Sequence, residues 1–460
     1  MPDPAKDFII KNSGQTRSRR TGGLKVAADK KIRISQCMIV KNEERNIERA
    51  LSWGKDIMCE QIVVDTGSTD RTVELAKKAG ASVYFYEWTD DFAAAKNYAI
   101  GKAKGDWIAF LDADEYMTPE DAKTMQKVLD SSRDRHFDGI STGWQQLDDK
   151  GQIFSSGTQI RFFRNHPDIR YRRRIHEQLE ASDKRALHIG DVVNDISIFH
   201  TGYQTVSVEG KSSRNRKLIL KELEDNPEDY EMMGYMGDEC FDERQWTEAE
   251  RWYRRAVQYM PAELDEYDQR SAFTFTRLLT ILFGREETSL EEITKLYDRA
   301  VQALPKEADL DYMMGRFFAS RGQADPAVRY LEAAVEKLNT YGCNNKALLL
   351  AGNLLEAYGL LVRCCQETGA WESCVHYAVT CLKYEKYNMA VLSDLMKALL
   401  FSGNAENGAV LEFLTKIYDT SILKDRLFLV KTAERSNLPA FAAFAAECFF
   451  TQEERDRLGL

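Results

Sequence analysis

Residues 107–115 read Trp-Ile-Ala-Phe-Leu-Asp-Ala-Asp-Glu, five apolar residues that run directly into a cluster of carboxylates. A short apolar run bounded by polar residues predicts a fully buried strand. Upstream, Ile32-Arg33-Ile34-Ser35-Gln36-Cys37-Met38-Ile39-Val40, Gln61-Ile62-Val63-Val64-Asp65 and residues 81–86 repeat that pattern. Between them the period changes. Val73, Leu75, Ala76 and Ala79 share a helical face that Gly80 ends, and residues 92–103 predict a further helix. Strands alternating with helices imply an α/β domain with a mostly parallel sheet covered on both faces, and ligands in such sheets lie beyond the carboxyl ends of the strands.

Downstream of about residue 210 the strand signals fade and helices dominate. Trp252-Tyr253-Arg254-Arg255-Ala256-Val257-Gln258 is echoed 44 residues later by Leu296-Tyr297-Asp298-Arg299-Ala300-Val301-Gln302. Met233-Gly234 with Ala249 and Ala256 likewise matches Met314-Gly315 with Ala327 and Ala334. Small residues seven apart on one helix, with a glycine midway along its partner, let two helices approach closely. This is the style of tetratricopeptide hairpins, stretched beyond the usual ~34-residue period. The expected organisation is a flexible basic tail over residues 1–30, an α/β domain over 31–210 and an all-α repeat domain over 211–460. Trp246, Trp252, Tyr253 and Trp371 are expected in the repeat core.

The bulk properties suit a globular protein: 43% hydrophobic and 30% charged residues. A net charge of −10 argues against general nucleic-acid binding. The nine cysteines form no CxxC pair and no zinc-like spacing, which predicts reduced thiols. No apolar run reaches the ~18 residues of a membrane span and the N-terminus lacks an apolar signal core, so a cytoplasmic location is expected. The oligomeric state is left open, a homo-oligomer included.

Asp112 and Asp114 alternate at a strand end, and two hard carboxylates there suit a Mg²⁺ or Mn²⁺ ion that also binds diphosphate oxygens. Such clusters also simply cap the next helix. Asp65 ends its own strand, free to accept hydrogen bonds from a base or ribose, while the following Thr-Gly-Ser-Thr turn opens a helix.

Four segments in order, Cys37 through Glu44, Val63 through Thr72, Asp91 through Asn97 and Gly105 through Glu115, closely resemble family 2 glycosyltransferases of the GT-A fold. Further on, Arg161 through Asn165, Ile175-His176-Glu177, His200-Thr201-Gly202-Tyr203 and Lys211 through Asn215 resemble a subgroup with C-terminal tetratricopeptide-like repeats, which includes bacterial enzymes that glycosylate peptides, such as glycocin S-glycosyltransferases. The resemblance implies a nucleotide-sugar donor, a UDP-sugar above all, with Asn42, Glu43 and Asp65 on the nucleoside. It implies a divalent ion on Asp112 and Asp114, and His200 as third ligand or diphosphate contact. Lys96 stands where the family carries an arginine, and it keeps the charge without the bidentate fork. Arg161, Arg164, Lys211 and Arg214 are candidates for neutralising phosphate. Glu177 is the candidate base for inverting transfer, with His176 as runner-up. The basic stretch Arg170 through Arg174 would guide an anionic ligand or form an exposed loop.

The concave surface of a repeat array suits a peptide or protein acceptor. The alternatives are a saccharide or lipid-linked acceptor and a non-catalytic repeat scaffold. Nucleotidyl transfer is disfavoured because Asn42-Glu43-Glu44 follows the first strand where a glycine-rich triphosphate loop would be needed.

Overall fold

The computed structural model describes residues 31–460 apart from 134, 203–207, 266–267, 344–345 and 402–405, and without the side chains of 208–211. The expected basic tail and the Lys211 side chain lie outside the described residues. Two compact units divide at Met232/Met233. The expected domain boundary, 210/211, falls inside a helix that belongs with the first unit.

In chain order the first unit contains β1 (Ile34–Val40), α1 (Ile47–Ser52), β2 (Met58–Asp65), α2 (Thr72–Lys78), β3 (Ser82–Phe85), α3 (Phe92–Ile100), β4 (Trp107–Phe110), β5 (Glu115–Met117), α4 (Pro119–Ser131), β6 (Gly139–Leu147), β7 (Ile153–Arg164), β8 (Ile169–Arg172), β9 (Gln178–Ala181), β10 (Ile189–Asp191), β11 (Ser197–His200) and α5 (Val208–Asp225). The main sheet runs β3-β2-β1-β4-β7-β6-β11-β5, with β10 on β6, and β8 pairs with β9 in a separate ribbon. Strands β3, β2, β1 and β4 are parallel, as their apolar runs imply. The sheet as a whole is mixed, because β7 enters antiparallel to both β4 and β6, and β5 pairs antiparallel with β11. β4 is wholly buried, as are six of the seven β1 residues.

Local chemistry fixes the starts of α3 and α4. Asp91 caps α3 by accepting from the Ala94 N–H at 2.8 Å, and Thr118 caps α4 by accepting from Asp121, with Pro119 in the first turn.

The second unit is helical throughout its described elements. Ala249, Ala256, Ala300, Ala327 and Ala334 are completely buried, as the repeat reading requires. A Cβ on Gly315 would stand 2.6 Å from the Leu331 side chain of the next helix, so the close approach depends on its absence. Tyr253 is fully buried, but Trp246 is 45% exposed and packs edge-on against Phe241, contrary to its expected place in the core. All nine cysteines are free thiols.

Candidate active site

The carboxyl ends of β1 and β4, the turn after β4, the loop between β8 and β9, and the start of α3 meet around a cleft of about 530 Å³. The β4–β5 turn is built by its own carboxylate. Glu115, 1% exposed, accepts from the Asp112 N–H at 3.0 Å, from Trp144 Nε1 at 2.8 Å and from Arg161 Nη2 at 2.5 Å. Arg161 also reaches Asp112 at 3.0 Å. Asp112 and Asp114 both line the cleft, with Arg161, Lys96, Glu43 and Thr66.

His200 arrives by strand pairing. β11 sets it opposite Glu115 of β5, and its Nε2 stands 3.4 Å from Asp114 Oδ2. Trp144 stacks on its ring, with centroids 4.9 Å apart. Thr201 donates its N–H to the Asp114 carbonyl at 3.0 Å, and Arg49 holds the Thr201 hydroxyl at 2.6 Å. Burial disfavours the charged imidazole, but hydrogen bonding to Asp114 outweighs it and raises the His200 pKa.

The third side of the cleft is the segment Ile175-His176-Glu177. Arg173 and His176 adopt left-handed backbone (φ 71° and 51°), which turns the chain sharply between β8 and β9. Arg173 is ion-paired to Asp229 (3.2 Å) and to Glu231, and Arg174 to Asp225 (2.8 Å), so this basic stretch is anchored to the carboxylates of and after α5. Glu177 forms an ion pair with Lys96, which is 4% exposed and also lies 3.9 Å from Asp112. Burial opposes the charge on Lys96, yet Asp112 and Glu177 hold its pKa above the usual lysine value. Burial likewise penalises the Asp112 carboxylate, but Lys96 and then Arg161 outweigh it and lower its pKa.

The structure therefore brings Glu43, Lys96, Asp112, Asp114, Arg161, His176, Glu177, His200 and Arg214 to one cleft. It does not bring three other candidates there. The Asn42 side-chain Oδ1 accepts from the Thr69 N–H at 2.8 Å, and the Asp65 carboxylate is turned onto the N–H groups of Gly67 (3.0 Å) and Ser68 (3.1 Å). Both shape the loop after β2. Arg164 donates to the Phe137 carbonyl and stacks over Trp107. Sequence reasoning missed Glu115, although it stands in the strand-end run, and it missed Trp88 and Phe92. Those two aromatics line the cleft edge-to-face, at 4.8 Å.

Among the described residues no three His, Cys, Asp or Glu side chains are grouped to hold a metal ion. Asp112 is turned toward Arg161 and Lys96, leaving Asp114 and His200 as the adjacent pair. An oxygen and an imidazole donor fit a divalent ion that completes its shell with water and substrate phosphate oxygens. The backbone keeps that space open. A Cβ on Gly202 would stand 2.2 Å from Asp114 Oδ2 and 2.6 Å from His200 Nε2.

Comparison with known proteins agrees with this architecture. Residues 35–185 match the family described as glycosyl transferase family 2. A TPR repeat-containing protein of Synechococcus elongatus is 36% identical over 232 residues, covering 49% of this chain and 56% of that protein. The SPbeta prophage-derived glycosyltransferase SunS of Bacillus subtilis is 26% identical over 288 residues, covering 60% of this chain and 64% of SunS. The chain thus spans less than two thirds of either relative. The crystal structure of S. aureus TarS aligns with 58% of this chain and 55% of that chain, at 15% identity and a TM-score of 0.34. Residues 35–185 thus match glycosyl transferase family 2, and a unit built of helices follows them in the chain.

Proposed function

We propose that this chain is an inverting glycosyltransferase that moves a sugar from a nucleotide donor, a UDP-sugar, to a side chain of a peptide or protein. The observation that carries the reading is the meeting, in one cleft, of a carboxylate–imidazole pair suited to a divalent ion and a separate carboxylate, Glu177, suited to a proton. Asp114 and His200 would hold Mn²⁺ or Mg²⁺, with Asp112 close by. Bound there, the ion would offset charge growing on the departing diphosphate.

The chain's own residues supply the rest. The segments containing Asn42, Glu43 and Asp65 shape the end of the sheet where the nucleoside would lie, and Trp88 and Phe92 give that cleft an aromatic wall. Arg161, Arg214 and Lys211 are the cations for phosphate charge. Glu177 takes the proton from the acceptor heteroatom as that atom bonds to the anomeric carbon, and the bond to the diphosphate oxygen breaks on the opposite side. His176 is the neighbouring alternative. The acceptor assignment rests on the helical unit, whose stacked hairpins form the kind of extended surface that takes polypeptides. No helix among the described residues is long and apolar enough to cross a membrane, and the enzyme is proposed to act in the cytoplasm.

A donor screen tests this reading. The full chain is incubated with Mn²⁺ or Mg²⁺ and each common nucleotide sugar, and release of nucleoside diphosphate is followed with Asp114→Ala as control. Metal-dependent release that the variant lacks is the expected result. Absence of turnover and of donor binding with every nucleotide sugar, with cell lysate present as acceptor, would leave a repeat scaffold as the reading.

A further inference from the structure

We propose that Lys96 is a positioning residue that holds the Glu177 carboxylate on the acceptor side of the cleft, and not a phosphate-binding cation. The inference rests on the reading of Glu177 as the base. Glu177 lies in neither helix nor strand. It follows a left-handed residue, His176, in the loop between β8 and β9, so the backbone alone leaves its side chain weakly directed. A base displaced by about 1 Å loses most of its advantage. Something must therefore fix it, and the direct ion-pair partner of its carboxylate is Lys96.

Lys96 is built for that task. Its side chain is 5% exposed, and its ammonium sits 5.3 Å from the Phe110 ring centre and 5.0 Å from that of Tyr171. Both rings and both carboxylates thus already engage the ammonium. The next residue reinforces the arrangement. Asn97 donates to the Tyr171 carbonyl at 2.8 Å and accepts from the Tyr171 N–H at 3.0 Å, as a strand neighbour would. The pair Lys96-Asn97 thus staples α3 to the β8–β9 ribbon twice, Asn97 through the backbone and Lys96 through the carboxylate. A compact ammonium on a flexible stem suits this enclosed seat, whereas a planar fork is the better shape for a phosphate.

The test uses the full chain, UDP-sugar hydrolysis with water as acceptor, and calorimetric binding of UDP in the presence of Mn²⁺. Lys96→Met is expected to lower kcat about 100-fold, as loss of a placed base does, while the Kd for UDP changes by less than about threefold. Added to Glu177→Gln, it should cost less than about twofold more, because residues acting through one another are not additive. Lys96→Arg retains the charge, guards against a folding defect in the methionine variant, and should also lower kcat at unchanged Kd. Two results overturn the proposal while leaving the base intact: a UDP Kd raised about tenfold or more in either lysine variant, or losses that multiply in the double variant. A Glu177→Gln enzyme that hydrolyses donor at the full rate would instead remove the base itself, and this role of Lys96 with it.

Discussion

Asp114 Oδ2 and His200 Nε2 stand 3.4 Å apart because the pairing of β11 with β5 sets His200 beside the turn that carries Asp114, and Gly202 is what leaves the space beside them open. Gly202→Ala places a methyl group into that space while leaving both donors in the sequence. The expected outcome is a weakening of Mn²⁺ binding by about 10- to 100-fold, the scale on which neighbours of metal ligands act, with the thermal midpoint little changed. Titration of Mn²⁺ by calorimetry checks it. Unchanged affinity would show that the ion, if bound, is held elsewhere.

Glu115 is the hinge of the β4–β5 turn and the buried partner of Arg161. Removing Glu115 leaves the buried Arg161 with Asp112 alone, a loss of up to about 3–5 kcal/mol. Glu115→Ala should therefore lower the stability of the first unit by that amount in urea unfolding. Glu115→Gln, which keeps an acceptor for Trp144, should lose less. Equal losses would mean that the charge, and not packing or the bond to Trp144, dominates at this position.

The contrast between Asp112 and Glu115 shows how far the sequence could be read. The buried strand and the acidic run after it were legible, because an apolar run ending in carboxylates has one simple place in a parallel sheet. What each carboxylate touches was not, since Arg161 and Trp144 arrive from β7 and β6, whose Ser-, Gly- and Gln-rich stretches carry no strong period. The antiparallel entry of β7, with the β5–β11 pair, also makes the sheet mixed. Asp65 illustrates the opposite limit. Its place at a strand end was clear from the residues, but the Gly67 and Ser68 N–H groups that occupy its oxygens depend on a loop conformation that no periodicity records. Lys96 and Glu177 were each visible as charged residues in family-like motifs, yet their pairing spans elements joined only through the fold.

In the helical unit, Asp309 is 6% exposed, and burial followed by the charge of Glu307 pushes its pKa up to about 7, although the N–H groups of Leu350 and Leu349 oppose the shift. A folded-state pKa above the unfolded value of 3.8 means that folding takes up a proton between those limits. Its stabilising contribution is full below about pH 4 and is lost as the pH rises through about 7. Wild-type stability, measured by urea unfolding relative to Asp309→Asn, should accordingly fall as pH goes from about 4 to about 8, by roughly 4 kcal/mol at most. A flat difference across that range would mean that folding leaves the Asp309 pKa unshifted.

The last expectation concerns the acceptor atom. A hydroxyl needs its proton removed during attack, so Glu177→Gln should slow transfer to a serine- or threonine-containing peptide by about 10²- to 10⁴-fold at every pH near neutrality. A cysteine thiol ionises unaided near pH 8.5. Transfer to a cysteine-containing peptide should therefore lose much less, and the loss should shrink as pH rises through that value. Comparing rates of the wild type and Glu177→Gln on paired peptides that differ only in serine or cysteine separates the two cases. A deficit that is equally deep for both peptides and independent of pH would mean that Glu177 orients the acceptor and does not take its proton, since orientation matters alike for a hydroxyl and a thiolate.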